Sequence, residues 1–453
     1  MSQRFYSLDV FRGATVALMI LVNNPGSWSY IYAPLEHAPW HGCTPTDLVF
    51  PFFLFAVGNA LAFVLPRLEQ AGTAAVLQKV LKRTLLIFAI GLFLNWSPFV
   101  RWDGEVLKLK PWEYLSSTGS IIGIRILGVL QRIALSYCFA ALIIYFFKVR
   151  GAIIISIIIL IGYWLISWVM GTGDPFSLAG YWGTNVDKAI LGEAHMYHGE
   201  GIAFDPEGLT STVTAIVQVI CGYLVGRYIV LSGKKNPGSS TTPSYDMLAH
   251  LLIAGTLLVA VAFCWDMTFP INKKIWTSSY VLYTTGLALQ VLSILIFLVE
   301  FKKVPTQKWV PSSLTTWIIA MTLAIVTAVL FYLLAGVPLA SGILAFAAVA
   351  AVVLLFATNN WSRFFDVFGK NPLFIFVLSG FLPRVLALLR WVDHIDDKGK
   401  KVYTSTLPWF YEHLCKPVSA NLKNGSLLYA VCTIFFYWSI VYLLDKKKIY
   451  IKV

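Results

Sequence analysis

Ala152-Ile153-Ile154-Ile155-Ser156-Ile157-Ile158-Ile159-Leu160-Ile161-Gly162-Tyr163-Trp164-Leu165-Ile166-Ser167-Trp168-Val169-Met170 runs without a single charged side chain. As a helix rising about 1.5 Å per residue, such a run matches the roughly 30 Å hydrocarbon core of a bilayer. Lipid offers the backbone no hydrogen-bond partners, so a segment of this kind satisfies its own amides as a helix. The stretch reads as a membrane span. The chain around it agrees: 58% of residues are hydrophobic and 13% charged, with a mean hydropathy of +0.73. A soluble domain of this length does not carry that composition.

Working outward, about twelve spans are expected in an all-α polytopic membrane protein. They cover residues 11–32, 47–65, 80–96, 124–147, 152–170 and 209–230, then 247–267, 279–299, 314–334, 341–357, 372–389 and 427–444. Lys and Arg gather in alternate short connections, including Arg67, Lys79, Lys82, Arg83, Lys148, Arg150, Arg227, Lys302 and Lys446. The same connections hold few acids. The bias orients the chain with both termini in the cytoplasm. It also accounts for the formal net charge of +13, so nucleic acid is not an expected partner. The first span reads as retained rather than as a cleavable leader. The six cysteines are scattered; Cys43 and Cys415 fall in outer segments and could pair in an oxidising compartment.

Residues 36–51, Glu36-His37-Ala38-Pro39-Trp40-His41-Gly42-Cys43-Thr44-Pro45-Thr46-Asp47-Leu48-Val49-Phe50-Pro51, place histidine, tryptophan and carboxylate at a helix mouth. Histidine suits proton movement near neutral pH. Pro39 between His37 and His41 argues against a bis-His metal site. Asp47 reads first as a helix-capping residue with Thr44 at N-cap and Pro45 at N1, a role that leaves room for a partnership with His37. Asn23-Asn24-Pro25-Gly26 puts two amides and a helix breaker inside the first span, which implies unwound backbone lining protein or a cavity, or else interhelical hydrogen bonds. Arg132 in the fourth span must be paired or face a wet cavity. Arg12 has a simpler reading as an interface anchor. The outer loop 181–208 is rich in aromatics and acids, with Trp182, Asp205 and Glu207 suited to a sugar.

Several blocks together resemble the heparan-α-glucosaminide N-acetyltransferase family. They are Ser7-Leu8-Asp9-Val10-Phe11-Arg12-Gly13, His37-Ala38-Pro39-Trp40, Asp47-Leu48-Val49-Phe50-Pro51, Gly128–Arg132, Asp205-Pro206-Glu207-Gly208, Asn272-Lys273-Lys274-Ile275-Trp276 with Ser279-Tyr280, and Lys446-Lys447-Lys448-Ile449-Tyr450. They follow the family order along nearly the whole chain. The resemblance implies a single transmembrane acyltransferase domain over 1–453, with 314–357 as an inserted helical hairpin. It implies transfer of acetyl from cytoplasmic acetyl-CoA to a terminal glucosamine on the far side. The family's active histidine falls on His37, and its neighbouring polar positions on Asn23 and Asp47. His41 stands where the family pattern has Asn.

A mechanism consistent with both lines has His37 either deprotonate the acceptor amine or take the acetyl group itself. Asp47 or Asn23 would fix its tautomer, and Asn23, Asn24 or Arg132 would stabilise the oxyanion. Arg12 leads the inner-face cations that could meet the donor's phosphates; Trp40 or Trp182 would stack the sugar, with Glu207 or Asp205 near its nitrogen. The expected setting is the inner (cytoplasmic) membrane, multi-pass in the lipid bilayer, with no metal; a homodimer is compatible. The alternative is a secondary transporter of an amino sugar, which twelve spans and a broken first helix would also suit.

Overall fold

The computed structural model describes residues 5–115, 121–234, 244–302, 336–357 and 361–451, and residues 322, 325, 326, 329, 332 and 333. The chain is mostly helical. Helices α1 (Tyr6–Asn23), α2 (Val49–Gln70), α3 (Thr73–Trp96), α4 (Val129–Met170), α5 (Gly183–Leu191), α6 (Leu209–Lys234), α7 (Tyr245–Asp266) and α8 (Ser278–Ile296) are followed by Leu339–Ala357, Trp361–Lys370, Pro372–Leu386 and Leu422–Lys446. Among the described residues, seven helices are long and apolar enough to cross a membrane. The pair Trp361–Lys370 and Pro372–Leu386, bent by 82°, makes an eighth if taken as one broken span.

Three expectations change. The first span ends at Asn23 rather than at residue 32, because Pro25 disfavours helical backbone at Asn24. The fourth span begins at Val129 rather than at residue 124, and α4 is two helices meeting at a kink at Lys148, whose φ of 56° lies in the left-handed region, so the expected break between 124–147 and 152–170 is present. The fold is not purely α-helical, since three antiparallel strand pairs form between the helices: Val100–Asp103 with Val106–Leu109, Glu113–Leu115 with Ile121–Gly123, and Arg390–Ile395 with Lys401–Ser405. The first hairpin turns on Gly104 at φ 62°, the conformation that a two-residue turn asks of its first central residue. The expected helix at 314–334 lies almost wholly outside the described residues; its partner at 341–357 lies within the helix Leu339–Ala357.

Contacts divide the chain into two compact units. The first holds Met1–Phe11 and His37–Lys303, and the second Arg12–Glu36 and Val304–Lys452. In the first, α2 and α6 meet through small residues: a Cβ on Gly58 would lie 2.0 Å from Val219 O, and one on Gly222 2.1 Å from Phe55 O. Apolar burial gains little between helices in lipid, so close backbone approach supplies the dispersion contacts that hold such a pair. Phe11, Phe52, Phe55, Leu251, Leu289 and Leu292 fill the core beside this seam. In the second unit the core gathers around Ala348, Tyr411, Cys415, Leu428 and Tyr429.

Candidate active site

The site grows from the turn that starts α2. Thr44 and Asp47 close a capping box over the 3-10 turn Pro45–Leu48, and the Asp47 amide donates to Thr44 O at 3.0 Å. The carboxylate is 1% exposed and its oxygens are divided. Oδ2 accepts from the amides of Ala38 (3.0 Å) and Thr44 (3.1 Å) and from Thr44 Oγ1 (3.1 Å). Oδ1 faces His37 Nδ1 at 2.6 Å and Lys273 Nζ at 3.3 Å. Capping and partnership with His37 therefore coexist in one side chain. So many donors keep the carboxylate ionised, which assigns the Nδ1 proton to the hydrogen bond and leaves Nε2 with the lone pair. The His37 side chain is 45% exposed. It is a basic imidazole nitrogen at a helix mouth, held in one tautomer.

The segment 271–277 docks beneath this turn. Gly42 N donates to Ile271 O at 2.7 Å. Asn272 Oδ1 accepts from Ile275 N at 3.1 Å, and Asn272 Nδ2 lies 3.4 Å from His41 Nδ1. Trp276 sits at φ 50°, a costly conformation for a bulky side chain that surrounding structure must enforce. The enforcement is visible: Thr214 Oγ1 donates to Trp276 O at 2.7 Å, and the indole packs edge-on to Phe50 (5.0 Å) and Tyr280 (5.1 Å). The loop thereby presents Lys273 to the dyad, 3.1 Å from His37 Nδ1. Lys274 turns instead to Pro39 O (2.8 Å) and Glu200 (2.7 Å). Burial draws the Lys273 ammonium below its ordinary pKa, while Asp47 and Glu207 pull the other way.

Tyr280 OH donates to Asp47 O at 2.6 Å, linking the dyad to a deeper layer. There Arg132, fully buried, lies 4.9 Å over the Trp276 ring. It donates to Thr212 Oγ1 at 3.2 Å, to Gly208 O at 3.3 Å and to Ser211 Oγ. Its Nη1 and the Trp276 Nε1 are buried donors without a hydrogen-bond partner among the described residues. Such donors are rare in a folded interior and point to an acceptor.

Asp205 and Glu207 are both engaged by Arg125, which donates from Nε to Asp205 Oδ2 at 2.9 Å and from Nη2 to Glu207 at 2.5 Å. Burial works to raise the Glu207 carboxyl, but Arg125 and Arg132 outweigh it and hold it below the usual range. Trp40 and Trp182 both pack on one aromatic cluster built from Tyr163, Tyr181, Phe204 and Phe269. Trp40 Nε1 donates to Phe176 O at 2.8 Å and Trp182 Nε1 to Ser167 Oγ at 3.0 Å, so each indole is fixed in direction.

Arg12, Asn23 and Asn24 belong to the second unit. Arg12 Nη1 donates to Gly369 O at 3.2 Å, where a cation favours a helix C-terminus. Asn24 Nδ2 returns to Ile20 O at 2.9 Å, and Asn23 is exposed. Cys43 and Cys415 are both free thiols. Burial and the Asp47 charge push the Cys43 thiol up to about 12, which removes it as a thiolate nucleophile. Among the described residues no group of three or more His, Cys, Asp or Glu could hold a metal ion.

Sequence reasoning assigned no role to Lys273, Arg125 or Trp276. One signal was present: Lys273 and Lys274 stand in a connection that the charge bias assigns to the cation-poor face.

No protein-family model matches the chain. It is 27% identical over 357 residues to the heparan-α-glucosaminide N-acetyltransferase of Homo sapiens, covering 66% of this chain and 49% of that protein. The Mus musculus protein of the same name is 26% identical over 350 residues, 66% of this chain and 50% of its own length. The chain spans about half the length of the curated relatives it matches. Similarity over this much of a polytopic chain, to two proteins of one name, supports the same assignment as the ordered motifs. Over 66% of its length the chain is similar to heparan-α-glucosaminide N-acetyltransferases, the family that its ordered motifs resemble.

Proposed function

We propose that this protein is an acetyl-CoA-dependent N-acetyltransferase of the inner membrane, with about twelve spans and both termini in the cytoplasm. It moves acetyl from cytoplasmic acetyl-CoA to the amino group of a glucosamine-type sugar on the far side. The observation that carries this reading is the His37–Asp47 pair: an exposed imidazole whose Nδ1 bonds a buried carboxylate 2.6 Å away.

In direct transfer, the neutral acceptor amine attacks the thioester carbonyl while Nε2 of His37 removes its proton, and the CoA thiolate departs and is protonated. In a two-step route Nε2 takes the acetyl group first and the amine then displaces it. Either route needs the lone pair on Nε2 and aimed, and the Asp47 hydrogen bond sets that tautomer by holding the ring proton on Nδ1. The buried donors Arg132 Nη1 and Trp276 Nε1 suit carbonyl oxygens of the donor in the layer below. Trp40 and Trp182 offer ring faces for the sugar. Because Arg125 pairs with both Asp205 and Glu207, their service to the acceptor would run through that cluster rather than as open carboxylates.

The test is transfer of labelled acetyl from acetyl-CoA to glucosamine by purified protein in nanodiscs. His37→Ala abolishes transfer while the protein stays folded and binds CoA. Transfer that survives His37→Ala overturns the reading, as do reporter fusions that place residues 36–46 in the cytoplasm. Amino-sugar flux without acetyl transfer would favour a transporter.

A further inference from the structure

We infer that Lys273 is a positioning residue that sets the proton affinity of His37, keeping Nε2 unprotonated at the pH where transfer occurs. The inference rests on His37 as the reacting group.

A carboxylate bonded to Nδ1 does two things to an imidazole. It fixes the tautomer, and its charge also stabilises the imidazolium, so a His–Asp pair alone is prone to trap a proton on the nitrogen that must stay free. Here a second cation occupies the same oxygen. Lys273 Nζ lies 3.3 Å from Asp47 Oδ1 and 3.1 Å from His37 Nδ1. Protonating Nε2 would set two positive charges against one negative. Nδ1 already carries the proton shared with Asp47, so the ammonium acts on the ring through charge rather than by donating to it.

The arrangement is built rather than incidental. The left-handed Trp276, the Asn272 side-chain bond to Ile275 N and the Gly42–Ile271 bond fix the loop that carries Lys273. The Lys273 side chain is 21% exposed, against 45% for His37, so the interaction is only partly screened. The other charges around the dyad are spoken for. Lys274 pairs with Glu200 across the loop, and Glu207 with Arg125. Cys43 is held as a neutral thiol, His41 faces Asn272, and Glu36 is exposed. Lys273 is the cation that Asp47 and His37 share.

A unit charge about 4 Å away in solvent-like surroundings shifts a pKa by about one unit, and by more where water is excluded. The experiment compares full-length wild type, Lys273→Gln and Lys273→Arg in nanodiscs. Two readouts are taken against pH: the rate at which diethyl pyrocarbonate modifies His37, followed by peptide mass spectrometry, and the acid limb of kcat/KM for transfer. The reagent attacks only neutral imidazole, so its midpoint reports His37 itself. Lys273→Gln should raise that midpoint by about one pH unit or more, with the acid limb moving alongside, while Lys273→Arg stays near wild type. An unchanged midpoint in Lys273→Gln overturns the inference and leaves Lys273 a structural tie. Should Lys273→Gln fail to fold, a midpoint raised in Lys273→Arg, where the charge is kept, overturns it equally. A midpoint that moves while the acid limb stays put supports the Lys273–His37 coupling and instead removes His37 from the reaction.

Discussion

Asp47→Asn separates orientation from mere presence of the dyad partner. Three donors converge on Oδ2, the amides of Ala38 and Thr44 and the Thr44 hydroxyl. They compel the asparagine to seat its carbonyl there. Its amide NH2 then occupies the Oδ1 position and meets His37 Nδ1–H and the Lys273 ammonium, donor against donors. The imidazole can escape only by moving its proton to Nε2, which leaves no lone pair where the acceptor amine must be deprotonated. A wrong-tautomer histidine costs a hydrolase triad about 10⁴ in kcat. A loss of about 10³- to 10⁴-fold is expected here, equivalent to about 4–5.5 kcal/mol of barrier. Stability should fall by less, about 1–3 kcal/mol, from the unmatched Lys273 and the strained contact. The assay is single-turnover acetyl transfer in nanodiscs at saturating donor, with thermal unfolding followed in parallel. A folded Asp47→Asn protein that retains kcat within threefold of wild type would refute the claim that Asp47 works by fixing the tautomer.

Further outcomes follow from neighbouring contacts. His41→Asn should retain most transfer activity, because an amide can replace the long 3.4 Å contact to Asn272; a dead His41→Asn beside an active His37→Ala would mean the wrong histidine has been assigned. Glu207→Gln strips Arg125 of one of two carboxylates; a raised acceptor KM with unchanged acetyl-CoA KM supports sugar binding near this cluster, whereas loss of folded protein alone assigns Glu207 to structure. Asp187 accepts from Thr210 N (3.2 Å) and Thr210 Oγ1 (3.1 Å), and burial raises its pKa from 3.8 to about 6. The folded state therefore holds this proton more tightly than the unfolded chain, so the group's contribution to stability is present below about pH 4 and is lost as pH rises through 6. Asp187→Asn keeps the acceptor without the charge, and its stability should gain on wild type across that window, by a margin on the order of 3 kcal/mol, seen as melting curves that diverge as pH rises. Parallel melting curves from pH 4 to pH 7 would refute it.

Composition and run length determined the class of this protein before any contact was known. Runs such as 152–170 must be helical in lipid because nothing else satisfies their backbone. The motif around residues 36–51 likewise marked His37 and Asp47, since a titratable pair at a helix mouth is costly to keep without a role. The sequence also contained Pro25, whose effect on the preceding residue ends α1 at Asn23. Boundaries elsewhere were less legible: the helix expected from residue 124 begins only at Val129, and the three strand pairs depend on pairings between strands whose local patterns are short. What only tertiary structure decided was partnership. Asp205 and Glu207 look like open acids in the sequence until Arg125, some 80 positions earlier, folds against them. Lys273 is one of two adjacent lysines with no local feature to tell them apart. Long side chains find their partners through the packing of distant loops, and only the folded segment 271–277 brings Lys273 to Asp47 and Lys274 to Glu200.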